Sequence, residues 1–147
     1  MPEQSTLERA KEDAREGKSA STQAGEFVRE EMHHIREGKH GARSSKQAIA
    51  IGLSKARRAG VHLDAPKGAS AETRRKASQD EAASHRTGRK RSASRSRATS
   101  RALKREGHGA ATKRSLSKQA KSTAKRRGPA ARSNSAKRAA RTRARGR

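Results

Sequence analysis

Apart from Met1, this chain has twelve large apolar side chains to build a core with, and nine of them fall between Phe27 and Leu63. Outside that window only Leu7, Leu103 and Leu116 remain, and the rest of the apolar content is alanine. A chain of 147 residues is long enough for one ordinary domain. Scarce hydrophobicity with a formal charge of +25 is instead the composition of a chain that cannot offset its own ordering entropy. The expected fold class is therefore mostly disordered with a small all-α element. That element is a helical hairpin at about 26–60, followed by a basic tail that is disordered or transiently helical.

The charge is unevenly placed. Residues 1–37 carry nine acids and six bases, and 38–63 carry six bases and no acid. Residues 64–81 balance at four and four, and 82–147 hold 23 bases against the single acid Glu106. This suggests an acidic-mixed arm (1–25), a hairpin module (26–63), a linker (64–81) opened by Pro66 and Gly68, and a basic Arg/Lys/Ser/Ala-rich tail (82–147). There is no cysteine, so redox compartment is not legible. No apolar run is long enough to span a bilayer, and the N-terminus lacks the apolar stretch of a secretory signal. The expectation is a cytoplasmic protein with an anionic polymer as partner and no membrane insertion.

Within the module, Val28, Met32 and Ile35 are spaced i, i+4, i+7 and predict a helix over Glu26–Glu37, with Gly38 at its C′ position. Glu26, Glu30 and Glu31 suit the positive N-terminal end of such a helix. Ser44-x-x-Gln47 reads as a capping box opening a second helix. Ile49, Gly52, Leu53 and Ala56 form its stripe, where Gly52 allows a close helix approach. Gly60 ends it, and Val61 covers Ala56. The expected packing residues are Val28, Met32, Ile35, Ile49, Leu53 and Ala56. Ile51 lies off the stripe, as part of a broad apolar face or as a second contact surface. A core this small is marginal alone, so a homodimer through the hairpin, or another partner, is expected to complete it.

Residues Glu26–Gly60, and Lys46–Gly60 most closely, resemble an uncharacterised bacterial family of small basic proteins. Its hallmark is a Met-containing amphipathic helix, a Gly/Lys/Ser loop and a K-Q-A-I-A-I-(G/A)-L-S-x-A-R-x-A-G helix. The resemblance implies no known activity. The tail is similar in composition to bacterial linker-histone-like DNA-binding proteins, though it favours Arg over Lys. Arg105–Gly128 also echoes Arg36–Gly60, with Glu106-Gly107, His108-Gly109-Ala110 and Thr112 facing Glu37-Gly38, His40-Gly41-Ala42 and Ser44. Either a degenerate duplication or a shared Ala/Arg/Gly bias accounts for this. In the echo, Leu116, Ala120 and Ala124 leave a thin stripe that predicts helix at 112–127 only when phosphates neutralise it.

Little else carries chemistry. Gly38–Gly41 resembles the Gly-x-x-Gly backbone clamp of KH domains, but no strands flank it and a helix connector is the plainer reading. The connector is also long for a helix-turn-helix, and no Walker loop is present. His33 and His34 point about 100° apart on a helix and have no third ligand in view, so no metal or other cofactor is expected. No nucleophile–base set stands out, and no enzyme is expected. Without Tyr or Trp there are no base-stacking platforms, so the partner is duplex DNA, with structured RNA as the alternative.

The expected function is sequence-nonspecific, histone-like DNA binding and compaction, nucleoid-associated, by phosphate neutralisation. A protein-interaction module with a localising tail, or an RNA- or ribosome-associated protein, are the alternatives. The nucleic-acid contacts expected are Arg89, Lys90, Arg91, Arg95, Arg97, Arg101, Lys104, Arg105, Lys113, Arg114, Lys118, Lys121, Lys125, Arg126, Arg127, Arg132, Lys137, Arg138, Arg141, Arg143 and Arg145. Secondary phosphate contacts are Lys39, Arg43 and Lys46, beside the Ser44 helix start.

Overall fold

A computed structural model describes residues 1–86 and 92–145 of the chain. The described residues form α1 (Gln4–Arg15), α2 (Ala20–Arg36), α3 (Ser45–Arg58), α4 (Ala71–Ser84), α5 (Ala93–Lys104), a 3₁₀ turn (Gly109–Ala111) and α6 (Lys113–Arg145). They divide into two units, Met1–Thr112 and Lys113–Arg147. The expectation of a mostly disordered chain with a disordered tail is therefore wrong: six α-helices account for most of it.

The reason lies in what the first unit buries. Eight of its twelve buried apolar residues are alanines, among them Ala24, Ala48, Ala56 and Ala111, each fully enclosed. Counting large aliphatics misses a core whose helices approach closely across small side chains. Phe27 and Ile35 are the largest apolar groups fully buried. On α3 the buried stripe is Ser45, Ala48, Gly52 and Ala56, and it faces α2. A Cβ on Gly52 would lie 2.7 Å from Val28 Cα, so the α2–α3 contact is backbone against backbone there. Of the six expected packing residues, Met32, Ile35 and Ala56 are buried, while Val28, Ile49 and Leu53 are half-buried on the flanks of this seam.

Local signals set the helix ends. Ser44 Oγ accepts from the Gln47 N–H at 3.2 Å, and Gln47 Oε1 accepts from the Arg43 N–H at 2.8 Å, one residue upstream of the reciprocal capping-box bond. Gly60 (φ 96°) donates to Arg57 O and Val61 to Ala56 O, a Schellman ending that seats Val61 in the core. α2 ends the same way at Gly38 (φ 73°), with Lys39 N–H donating to His34 O. Its start lies earlier than expected, at Ala20 behind an Ser19 cap, which places Glu30 and Glu31 in mid-helix rather than near the N-terminus.

The hairpin is completed from within its own unit. α1 packs on α2, and α4 packs on α3, within the stretch read as a linker. The α4 contact is polar: buried Asp80 accepts from Ser54 Oγ at 2.6 Å and from Arg58 Nε at 2.8 Å. Ser54 and Arg58 stand three and seven residues after Ile51, so α3 has a second packed face on that side. The connector between α2 and α3 meets the segment after α5. Gly41 N–H donates to Leu103 O at 2.9 Å and Ala42 N–H to Gly107 O at 3.1 Å. Ser45 Oγ donates to Ala110 O and Arg36 Nε to Ala111 O. A Cβ on Gly41 would lie 1.9 Å from Glu106 O, so only glycine fits. The first part of the echoing stretch, up to Ala111, thus lies against the connector it resembles.

The second unit is α6 alone. Its helical run breaks at Gly128 (φ 74°, ψ 168°), ahead of Pro129. None of its described residues is buried. Strong helix formers, Ala, Lys and Arg, dominate it, which explains why helix extends well past the 112–127 expected. Arg127 Nη2 donates to Ser135 Oγ at 2.6 Å across the break.

Candidate functional site

Two places concentrate charge, and they do so in opposite ways. The first is the exposed basic surface. α6 carries thirteen Lys and Arg and no acid. All of the expected nucleic-acid residues on it, from Lys113 to Arg145, are exposed, as are Arg95, Arg97, Arg101, Lys104 and Arg105 on and just after α5. Arg89, Lys90 and Arg91 lie outside the described residues. With no carboxylate on α6, its cations have no ion-pair partner within the helix, and its thin Leu116–Ala120–Ala124 stripe buries no residue. Such a helix presents cations around its circumference.

Of the secondary contacts, Arg43 and Lys46 are exposed beside the α3 N-terminus. Lys39 is differently employed. Its Nζ sits 3.1 Å from Glu37 and 3.3 Å from Glu3, and these two carboxylates hold it above the ordinary lysine range.

The second place is a buried cluster on α2, α3 and their connector. Glu31 is fully enclosed and Glu30 nearly so. One ammonium serves both: Lys55 Nζ lies 3.1 Å from Glu30 Oε1 and 2.8 Å from Glu31 Oε2. Burial pulls the Lys55 ammonium down, but Glu31 and then Glu30 outweigh it and hold the group above its usual range. Burial likewise pushes the Glu30 carboxyl up, and the Glu3 N–H, Lys55 and Thr6 together overcome it and leave it below the usual carboxylate range. Neither oxygen of Glu31 has a well-directed hydrogen bond; Lys55 and His40 reach it as close charged or polar neighbours only.

His40 Nε2 is 3.3 Å from Glu31 Oε1, and His34 stands edge-on to His40 with ring centroids 6.0 Å apart. His34 is largely buried: its side chain is 13% exposed, and Nε2 lies 2.9 Å from Glu3 Oε1. His33 beside it is exposed. His34, with Lys39, holds Glu3 below its ordinary value. One ligand atom each from Glu31, His34 and His40 can be placed with all three within 4.8 Å of one another. Reading the sequence for adjacent histidines missed this grouping. The usable signal is Glu31-x-x-His34, one helical turn, followed by the Gly38 ending that turns His40 back towards α2.

Residues 15–67 match a family described as "Family of unknown function (DUF6496)". The matched segment contains α2, α3 and the whole Glu31–His34–His40–Lys55 cluster, and stops before α4 and the basic helices. This accords with the resemblance seen in Lys46–Gly60 to an uncharacterised family. No curated protein and no solved structure matches the chain. The tail's likeness to linker-histone-like proteins rests on composition alone. Among the described residues no helix is long and apolar enough to cross a membrane.

Proposed function

We propose that the chain binds duplex DNA without sequence choice, through the phosphates, with α6 as its principal surface. One observation carries this reading: a helix with thirteen Lys and Arg, no acid and no buried residue has nothing within itself to neutralise or cover it. Arg offers bidentate forks to phosphate and Lys offers point charges. Neither reads base sequence when used on the backbone. The exposed cations of α5 offer further phosphate contacts on the first unit. Compaction, and a nucleoid-associated place in the cytoplasm, follow if one chain holds more than one duplex segment.

The test is a salt titration of the full chain on duplex DNA, structured RNA and heparin. If about ten phosphates are engaged, log K falls against log salt with a slope of roughly −9. Replacing the seven bases from Lys113 to Arg127 with Gln should flatten that slope by about 6. Salt-insensitive binding, or strong preference for one duplex sequence, sinks the reading. Much tighter binding to RNA than to DNA moves it to the RNA alternative.

A further inference from the structure

We propose that Glu31, His34 and His40 form a binding site for one divalent first-row transition-metal ion of the zinc class. Glu30 and Glu31 bring two buried carboxylates, and Lys55 alone stands between them. Lys55 approaches Glu31 at Oε2, which leaves Oε1 turned towards His40 with no hydrogen bond of its own. An enclosed carboxylate oxygen without a donor is costly unless a cation or proton donor meets it.

The two imidazoles are already oriented as ligands. His40 Nδ1 lies 3.1 Å from Gly41 O, and an Nδ1–H donated there leaves the Nε2 lone pair facing Glu31 Oε1. His34 Nε2 lies against the Glu3 carboxylate, and an Nε2–H donated there leaves Nδ1, 4.0 Å from Glu30 Oε1, as the nitrogen to ligate. Backing of a ligating histidine by a carbonyl or a carboxylate is the usual outer support of such sites. Two imidazoles bound to one zinc at about 2.0–2.1 Å have ring centroids roughly 5–6 Å apart, and here the separation is 6.0 Å.

Two nitrogens and one carboxylate oxygen suit zinc, cobalt, nickel or iron, and not the all-oxygen preference of calcium or magnesium. The spread of up to 4.8 Å between ligand atoms exceeds that of a closed tetrahedral site, so the side chains close by small rotations on binding. Of the three ligands, His34 lines an open polar cleft of about 270 Å³ between the start of α1 and α2. The ion would tie the last turns of α2 to the connector that carries Gly41.

The experiment uses the full chain, stripped with a chelator and dialysed, then titrated with Co²⁺ and Zn²⁺. One Co²⁺ per chain should bind with visible d–d absorption, and Zn²⁺ should displace it. His34→Gln and His40→Gln should each weaken Zn²⁺ binding at least ~100-fold, and Glu3→Gln about 10-fold. A chain with His33→Gln, His62→Gln and His85→Gln should bind as before. Circular dichroism on each variant checks that the helices persist. In the unsubstituted chain, one equivalent of Zn²⁺ should shift the ring resonances of His34 and His40 together and leave those of His33, His62 and His85 in place. That measurement stands even if a variant fails to fold. Absence of stoichiometric binding, unmoved His34 and His40 resonances, or binding lost in the triple variant would each overturn the proposal.

Discussion

α3 and α6 are both cationic helices, yet their charges do different work. On α3, half-buried Lys55 pairs with Glu30 and Glu31, and Arg58 reaches buried Asp80. On α6, no acid is present in the helix and no residue is buried. Lys55 and Arg58 of α3 are structural parts, because removing either strands a carboxylate away from water. On α6 a basic residue is a surface, and its effect is felt only by whatever anion arrives. The same residue type therefore has opposite consequences for stability and for binding, and substitutions separate the two.

The largest effect should come from Lys55→Met. It keeps the aliphatic stem and removes the one ammonium between two buried carboxylates, a loss of about 3–5 kcal/mol of stability. Urea unfolding followed by circular dichroism measures it. An unchanged midpoint would mean that the cluster is solvated and that the contrast with α6 is false. Duplex affinity of the folded fraction should stay close to that of the parent chain.

Gly41→Ala should follow. The added methyl meets the Glu106 carbonyl, a backbone atom that cannot swing aside, and forces the connector away from the 103–107 segment. Overpacking of this kind costs about 1–3 kcal/mol. Faster hydrogen exchange at the Gly41 and Ala42 amides, with α6 amides unaffected, is the expected signature. Exchange rates equal to the parent's would show that the two stretches do not hold each other.

The smallest effect belongs to Lys121→Gln. Stability should stay within about 0.5 kcal/mol, while the slope of log K against log salt should shrink by about 1. A marked loss of stability would place Lys121 inside a structure rather than on a surface.

How much of this was legible depended on the kind of signal. Both ends of α3 were readable, because Ser44, Gln47, Gly60 and Val61 act on neighbours within a few residues. The close approach at Gly52 was readable because a glycine inside an apolar stripe has few other uses. α1 and α4 were not, since hydrophobic periodicity cannot register Ala10, Ala77 or the Asp80–Arg58 pair as packing, and α5 buries no residue that could have left a stripe. The stripe was half right: Gly52 and Ala56 lie in the seam as expected, but the larger Ile49 and Leu53 flank it, and Ser45 and Ala48 take the buried positions. Glu31 and His34 were visible as a spacing, but their meaning required His40, which only the turn at Gly38 delivers. The cationic character of 113–145 was plain throughout, and its helix was underestimated because propensity was weighed less than the missing apolar face.

The pairing of Gly41 and Ala42 with Leu103 and Gly107 has a consequence for a chain made from its N-terminus. Roughly sixty residues separate the two partners. At about 5–20 residues per second, the later one leaves the ribosome some three to twelve seconds after the earlier. During that interval α2 and α3 can already meet through Val28 and Gly52, while the amides of Gly41 and Ala42 face water. Translation that pauses before Leu103 would hold the chain with its seam formed and its connector open.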